Sequence, residues 1–153
     1  MSVHARLSTD TPALVDLGEV LLRVAASAKA VARARQVLVH VEVESGPLLV
    51  PGSTGAAHDT VLDVVGQVVS TCAPGAHIHL DVHAEDGGVA VTVTDTGPDE
   101  PTAVVDVWPA RRDVAAVGGR LEQTVVDGVG SVVQLWWPQH VPAVQRARHL
   151  SAV

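Results

Sequence analysis

The chain predicts an α+β fold: a two-layer α/β sandwich whose mixed, mostly antiparallel sheet carries its helices on one face. Two patterns carry this reading. Apolar residues recur at helical spacing over two long stretches, about 17–35 and 55–71. Apolar and polar residues alternate over 37–44, 76–83 and 89–94, so each of those strands has one face to bury. The order is helix, strand, helix, two strands, short helix, two strands, which suits a single helical layer over one sheet. At 153 residues the chain is long enough for one domain with a real core.

Each element has a local cause. Residues 1–14 are polar and mixed and read as an N-terminal arm. Asp16 and Glu19 form a capping box for the first helix, whose apolar stripe is Leu17, Val20, Leu21, Val24, Ala28 and Val31. Val37, Val39, Val41 and Val43 alternate with polar or larger residues as a half-buried strand, ended by Ser45-Gly46-Pro47. Leu48-Leu49-Val50 reads as a short further strand. Ser53 or Thr54 caps the second helix, which presents Ala57, Val61, Leu62, Val65, Val68 and Val69 and stops at Pro74-Gly75. Ile78, Leu80 and Val82 share one face of the next strand. Asp86-Gly87 turns the chain, and Val89, Val91 and Val93 continue that face in an antiparallel partner. Residues 98–108 read as a loop. Pro109 suits the start of a short helix over 110–117, which Gly118-Gly119 closes. Leu121–Val126 and Ser131–Trp137 form a final hairpin about Asp127-Gly128. Residues 139–153 are a C-terminal tail, so the domain proper spans 15–138.

Composition narrows the function classes. The net charge of −7 argues against general affinity for nucleic-acid backbones or anionic membranes. No stretch approaches the roughly 18 apolar residues of a membrane span, and Met1–Asp10 lacks an apolar signal core. Cys72 is the single cysteine, so no intrachain disulfide forms, which fits a reducing compartment. These features together predict a soluble cytoplasmic protein. One lysine stands against nine arginines, and there is no asparagine, phenylalanine or tyrosine.

Residues 85–100 carry the chemistry. Asp95-Thr96-Gly97-Pro98 places a carboxylate at a strand's end, followed by a glycine that lets a flat ligand approach. An ionised carboxylate only accepts hydrogen bonds, and the exocyclic amino group of adenine donates them. The alternative is a plain turn-forming Asp-x-Gly.

In this arrangement the chain resembles the ATPase domain of sensor histidine kinases, the Bergerat-fold or GHKL family shared with gyrase and MutL. The resemblance runs from about Val15 to Pro138. Val15-Asp16-Leu17 resembles the entry into that domain, and Asp95-Thr96-Gly97-Pro98 its first glycine box. Gly118-Gly119-Arg120-Leu121-Glu122 resembles the stretch after its last helix. Gly130-Ser131 with Val133-Gln134-Leu135-Trp136-Trp137-Pro138 resembles its closing strand. The resemblance implies that Asp95, Gly97 and Ser131 are the adenine end of a nucleotide cleft.

The departures from the family concern phosphate and metal. Asp63 and Gln67 stand where the family's second helix carries two asparagines, one of which holds magnesium; Asp63 is a competent oxygen ligand, but the geometry changes. Ser70 and Thr71 replace the basic and aromatic residues that follow. Asp99 takes the place of a second glycine, and Asp99–Trp108 contains no glycine at all. Asp106-Val107-Trp108 therefore replaces the glycine-rich phosphate cradle.

The main reading is a degenerate, stand-alone histidine-kinase-like ATPase domain without catalysis, a pseudokinase with no obligatory cofactor. It would bind a protein partner in signalling or transcriptional control. Candidate contacts are Arg111, Arg112 and the exposed member of the Trp136/Trp137 pair, and a homodimer through the arms or sheet edge is the alternative. Two other readings stand beside it. One is a genuine Mg-ATP-binding subunit of a split histidine kinase or an anti-sigma-type kinase, with Asp63 or Gln67 serving the metal. The other is an adenine-type small-molecule sensor. His77, His79, Asp81 and His83 share one strand face; a solvated surface is the expected role, and metal ligation the alternative. His4-Ala5-Arg6-Leu7 resembles a phosphoacceptor segment but lacks the helical hairpin that such a segment needs.

Overall fold

A computed structural model describes residues 13–96, 106–126 and 130–139. Residues 1–12, 97–105, 127–129 and 140–153, which include most of both arms, the Gly97–Asp99 corner and the turn at Asp127-Gly128, lie outside the described residues.

The polypeptide begins with β1 (Leu14–Asp16) and α1 (Leu17–Ala34), followed by β2 (Leu38–Val43), β3 (Leu49–Pro51) and α2 (Thr54–Thr71). Then come β4 (His77–Glu85), β5 (Gly88–Thr96), α3 (Trp108–Ala116), β6 (Arg120–Val126) and β7 (Gly130–Pro138). Five strands form one sheet in the order β2-β4-β5-β7-β6, and β1 pairs with β3 in a separate two-stranded ribbon. Only β2 and β4 run parallel; every other neighbour in the large sheet is antiparallel. The helices cover one face, as expected.

The helix starts follow from their caps. The Asp16 carboxylate accepts from the backbone N–H groups of Gly18 and Glu19, satisfying donors that the first helical turn leaves open. Glu19 does not complete a capping box; it is exposed and pairs with Arg23. Ser53 caps α2 through Ala56 N–H. The α1 stripe buries Leu17, Val20, Leu21, Val24 and Ala28, with Ala25 and Ala32 added, while Val31 faces solvent. In α2, Val64 and Thr60 join the buried face and Leu62 is only partly buried. These helices meet Ile78, Leu80 and Val82 of β4, Val89, Val91 and Val93 of β5, and Val133, Leu135 and Trp137 of β7.

Strand β1 departs from expectation: Leu14, assigned to the arm, pairs with Pro51, and Val15 opposes Val50. A three-residue strand carries no periodicity that a sequence could reveal; it exists because β3 lies beside it.

Candidate functional site: the Asp95 corner

Asp95 lies near the end of β5, opposite Ile78 on β4 and Ser131 on β7. Strand alternation puts it on the helix-covered face, in line with Val89, Val91 and Val93. Thr96 then fastens the strand end, its hydroxyl donating to the His77 carbonyl at 3.2 Å. Ser131 is buried directly across from Asp95. The glycine before it is obligatory: Gly130 has φ +133°, and a Cβ there would fall on the Asp95 backbone carbonyl.

Two residues that sequence reasoning did not assign complete this corner. Cys72, buried at the end of α2, faces the Asp95 carboxylate. Burial pushes its thiol up to about 12, reinforced by the negative charge of Asp95 beside it and offset by Arg35. Such a thiol stays protonated and is no nucleophile. Arg35, just past α1, closes the open carbonyls of α2: its Nε donates to Val69 O at 3.1 Å and its Nη2 to Ser70 O at 3.0 Å. Helix α2 is thereby held at its C-terminus beside Asp95. The only sequence signal for either residue is that both follow helical stripes.

Asp95 Oδ1 is buried and has no hydrogen-bond partner among the described residues. A buried acceptor without a donor costs about 1–3 kcal/mol. An N–H donor entering the corner relieves that cost, which fits the exocyclic amino group of a purine.

The remaining candidates are placed less compactly. Asp63 is exposed on α2, and Gln67, one turn later, is half-buried. The hydroxyls of Ser70 and Thr71 turn back onto helix carbonyls, including Gln67 O, so they offer no outward donors there. Gly97 lies outside the described residues. Helix α3 starts with its own carboxylate: Asp106 Oδ1 accepts from Trp108 N–H at 3.1 Å, and Pro109 supplies no N–H. Arg111 and Arg112 are exposed on α3 and have no ion-pair partner among the described residues. Trp108, beside them, is 66% exposed.

Trp137 is the core member of its pair. Trp136 lies half-buried on the open sheet face, where its indole N–H donates to Glu85 O at 2.8 Å and Arg120 stacks 4.2 Å from the ring centroid. Its ring covers Gly88, whose missing side chain leaves the space.

A separate cleft of about 430 Å³ lies between the N-terminal half of α2 and the end of α3, lined by Val50, Ala57, Thr60, Ala116 and Trp137 among others. Asp63, Gln67, Asp95 and Ser131 are not among its lining residues, and it lies towards the opposite end of β5 from Asp95, because Trp137 pairs with Val89.

The arrangement of helices and strands has close counterparts among solved structures. The catalytic domain of the histidine kinase ThkA superposes with a TM-score of 0.73 at 15% identity, covering 84% of this chain and 96% of that one. This chain has the fold of a histidine-kinase ATP-binding domain. The ATP-binding domain of PrrB from Mycobacterium tuberculosis matches with a TM-score of 0.69 at 18% identity, over 86% of this chain and all of that one. The mycobacterial sensor histidine kinase MprB gives 0.67 at 20%, over 82% and 97%. No protein-family profile matches the sequence, and no curated protein matches it by sequence. The Bergerat-like fold is thus carried by the structure, as the motif order around Asp95 implied. No helix among the described residues is long and apolar enough to cross a membrane.

Proposed function

We propose that this domain keeps the adenine end of a kinase-type cleft, has given up phosphate handling, and acts as a non-catalytic regulatory module that binds a protein. The observation that carries the reading is the start of α3. In the family resemblance this segment takes the place of the phosphate cradle, where a helix N-terminus offers free N–H groups to an anion. Here Asp106 already occupies the first donor, and its negative charge repels a polyphosphate. Pro109 removes a second donor. The exposed Asp63 and the longer Gln67 on α2 add no cationic help.

The adenine end fits its group better. Asp95 Oδ1 awaits a donor, Ser131 lies opposite, and the protonated Cys72 thiol adds no competing charge. This favours a second role, the sensing of an adenine-type small molecule, within the same non-catalytic reading. The protein-facing surface would be Trp108 with Arg111 and Arg112, since exposed aromatic and arginine side chains supply most interface energy.

Calorimetric titration with adenosine, ADP and ATP, with and without Mg²⁺, tests the reading. The expected result is that ATP binds no more tightly than adenosine, that Mg²⁺ does not help, and that no hydrolysis is detected. Asp106→Gly should improve ATP relative to adenosine. Micromolar Mg-ATP binding lost in Asp95→Ala or Asp95→Asn would instead make the chain a working nucleotide-binding subunit of a split histidine kinase or anti-sigma-type kinase.

A further inference from the structure

The open face of the sheet, away from the helices and from Asp95, gathers three imidazoles. Strands β2 and β4 run parallel with His40 opposite His79 and Leu38 opposite His77. The alternate residues of β4, Ile78 and Leu80, are buried under the helices, so His77 and His79 project to the other side. His40 stacks against both: its ring centroid is 5.2 Å from His77 and 4.8 Å from His79, with planes within 15°. His40 Nε2 lies 3.0 Å from His77 Nδ1. One ring nitrogen from each of the three lies within 4.8 Å of the others.

We propose that His40, His77 and His79 form a binding site for a divalent transition metal of the zinc, nickel or copper class. Zinc–nitrogen bonds of about 2.0–2.1 Å in tetrahedral geometry set ligand nitrogens roughly 3.3 Å apart. The three nitrogens already bracket that spacing, and side-chain rotation alone closes the rest. Two of the ligands come from β4, which is hydrogen-bonded on both sides by β2 and β5, so the frame is rigid. A set made only of imidazole selects against magnesium and calcium, which require oxygen. Three protein ligands leave a fourth position for water or an outside group.

The sequence grouped His83 with His77 and His79, but the fold substitutes His40. His83 is engaged on both ring nitrogens, by Asp81 at 2.8 Å and by Glu85 at 3.3 Å. It is therefore a separate charged cluster. The metal site does not depend on the nucleotide reading, because it lies on the opposite face of the sheet.

The test uses the full chain, free of any polyhistidine tag and stripped with chelator, titrated with Zn²⁺ above neutral pH. One zinc ion should bind per chain at this site. His40→Ala and His79→Ala should each weaken it by roughly tenfold or more, since even the loss of groups that only support a ligand costs about 10–100-fold. His83→Ala should leave it unchanged, and circular dichroism should show all three variants folded. In the wild type, Cu²⁺ should broaden amide resonances first around residues 38–41 and 77–80, which keeps the test independent of any variant's folding. No zinc binding, binding indifferent to His40→Ala and His79→Ala, or broadening centred on residues 81–85 or outside the sheet overturns the proposal.

Discussion

At the residue scale, Asp95 and its neighbours show how one side chain is positioned by several elements. It is carried by β5 and faced by Cys72 at the end of α2, and β7 packs against its backbone carbonyl only because residue 130 has no Cβ. Gly130→Ala should therefore destabilise the protein by at least about 1–3 kcal/mol, the cost of forcing atoms into packed space, and, if Asp95 receives adenosine as proposed, should abolish that binding; urea denaturation and calorimetry measure the two effects. Cys72 should resist a thiol reagent such as dithionitrobenzoate in the native state and react once unfolded. Its raised value also gives a sign: the unfolded thiol ionises near 9.0 while the folded one holds its proton to about 12, so stability falls as pH rises between them. His83 behaves likewise at lower pH. Its hydrogen bond to Asp81 raises it above 6.5, burial opposes this, and Glu85 adds to the rise. Its stabilisation is complete below 6.5 and is lost as pH climbs through the folded value. Thermal melts of wild type and His83→Ala between about pH 5 and 8 should diverge at the acidic end and converge at the alkaline end.

At the element scale, the two long helices are set by caps and stripes, and they carry opposite tests. Asp16→Ala removes the α1 cap and should cost about 1 kcal/mol. Gly66 lies inside α2 with open space around its missing side chain, so Gly66→Ala should stabilise by about 0.5–1 kcal/mol. Both are read from chemical denaturation. The absence of glycine from Asp99–Trp108 is legible in the sequence, but the Asp106 bond to Trp108 N–H at the start of α3 is not. A side chain's turn back onto a backbone N–H is a local geometric choice among several, and nothing in the residue order selects it.

At the scale of the whole molecule, the core is built from valine, alanine and leucine, and Trp137 is its one buried aromatic residue among the described positions. Trp137→Ala should cost about 3–5 kcal/mol and enlarge the cleft it lines. Trp136→Ala should cost less, because it removes a half-buried ring whose partners, Glu85 O and Arg120, can turn to water. If the domain acts by binding a protein, Trp108→Ala and Arg112→Ala should lose that partner while keeping the wild-type melting temperature; pull-down alongside calorimetry separates the two.

The sequence by itself determined the helix stripes, the strand alternation, the Asp86-Gly87 turn and the carboxylate at the end of β5. All are local patterns, written in the spacing of residues that are neighbours along the chain. From those patterns the one-sided sandwich followed, because each strand had a single face to bury. Tertiary structure decided what depends on residues brought together from distant segments. It paired Leu14–Asp16 with β3, placed Cys72 beside Asp95 and Arg35 against the end of α2, tied Trp136 to Glu85 and Arg120 on the open face, and put His40 beside His77 and His79 in place of His83. The parallel pairing of β2 with β4 sets Leu38 opposite His77 and His40 opposite His79, and no spacing within either strand encodes that register.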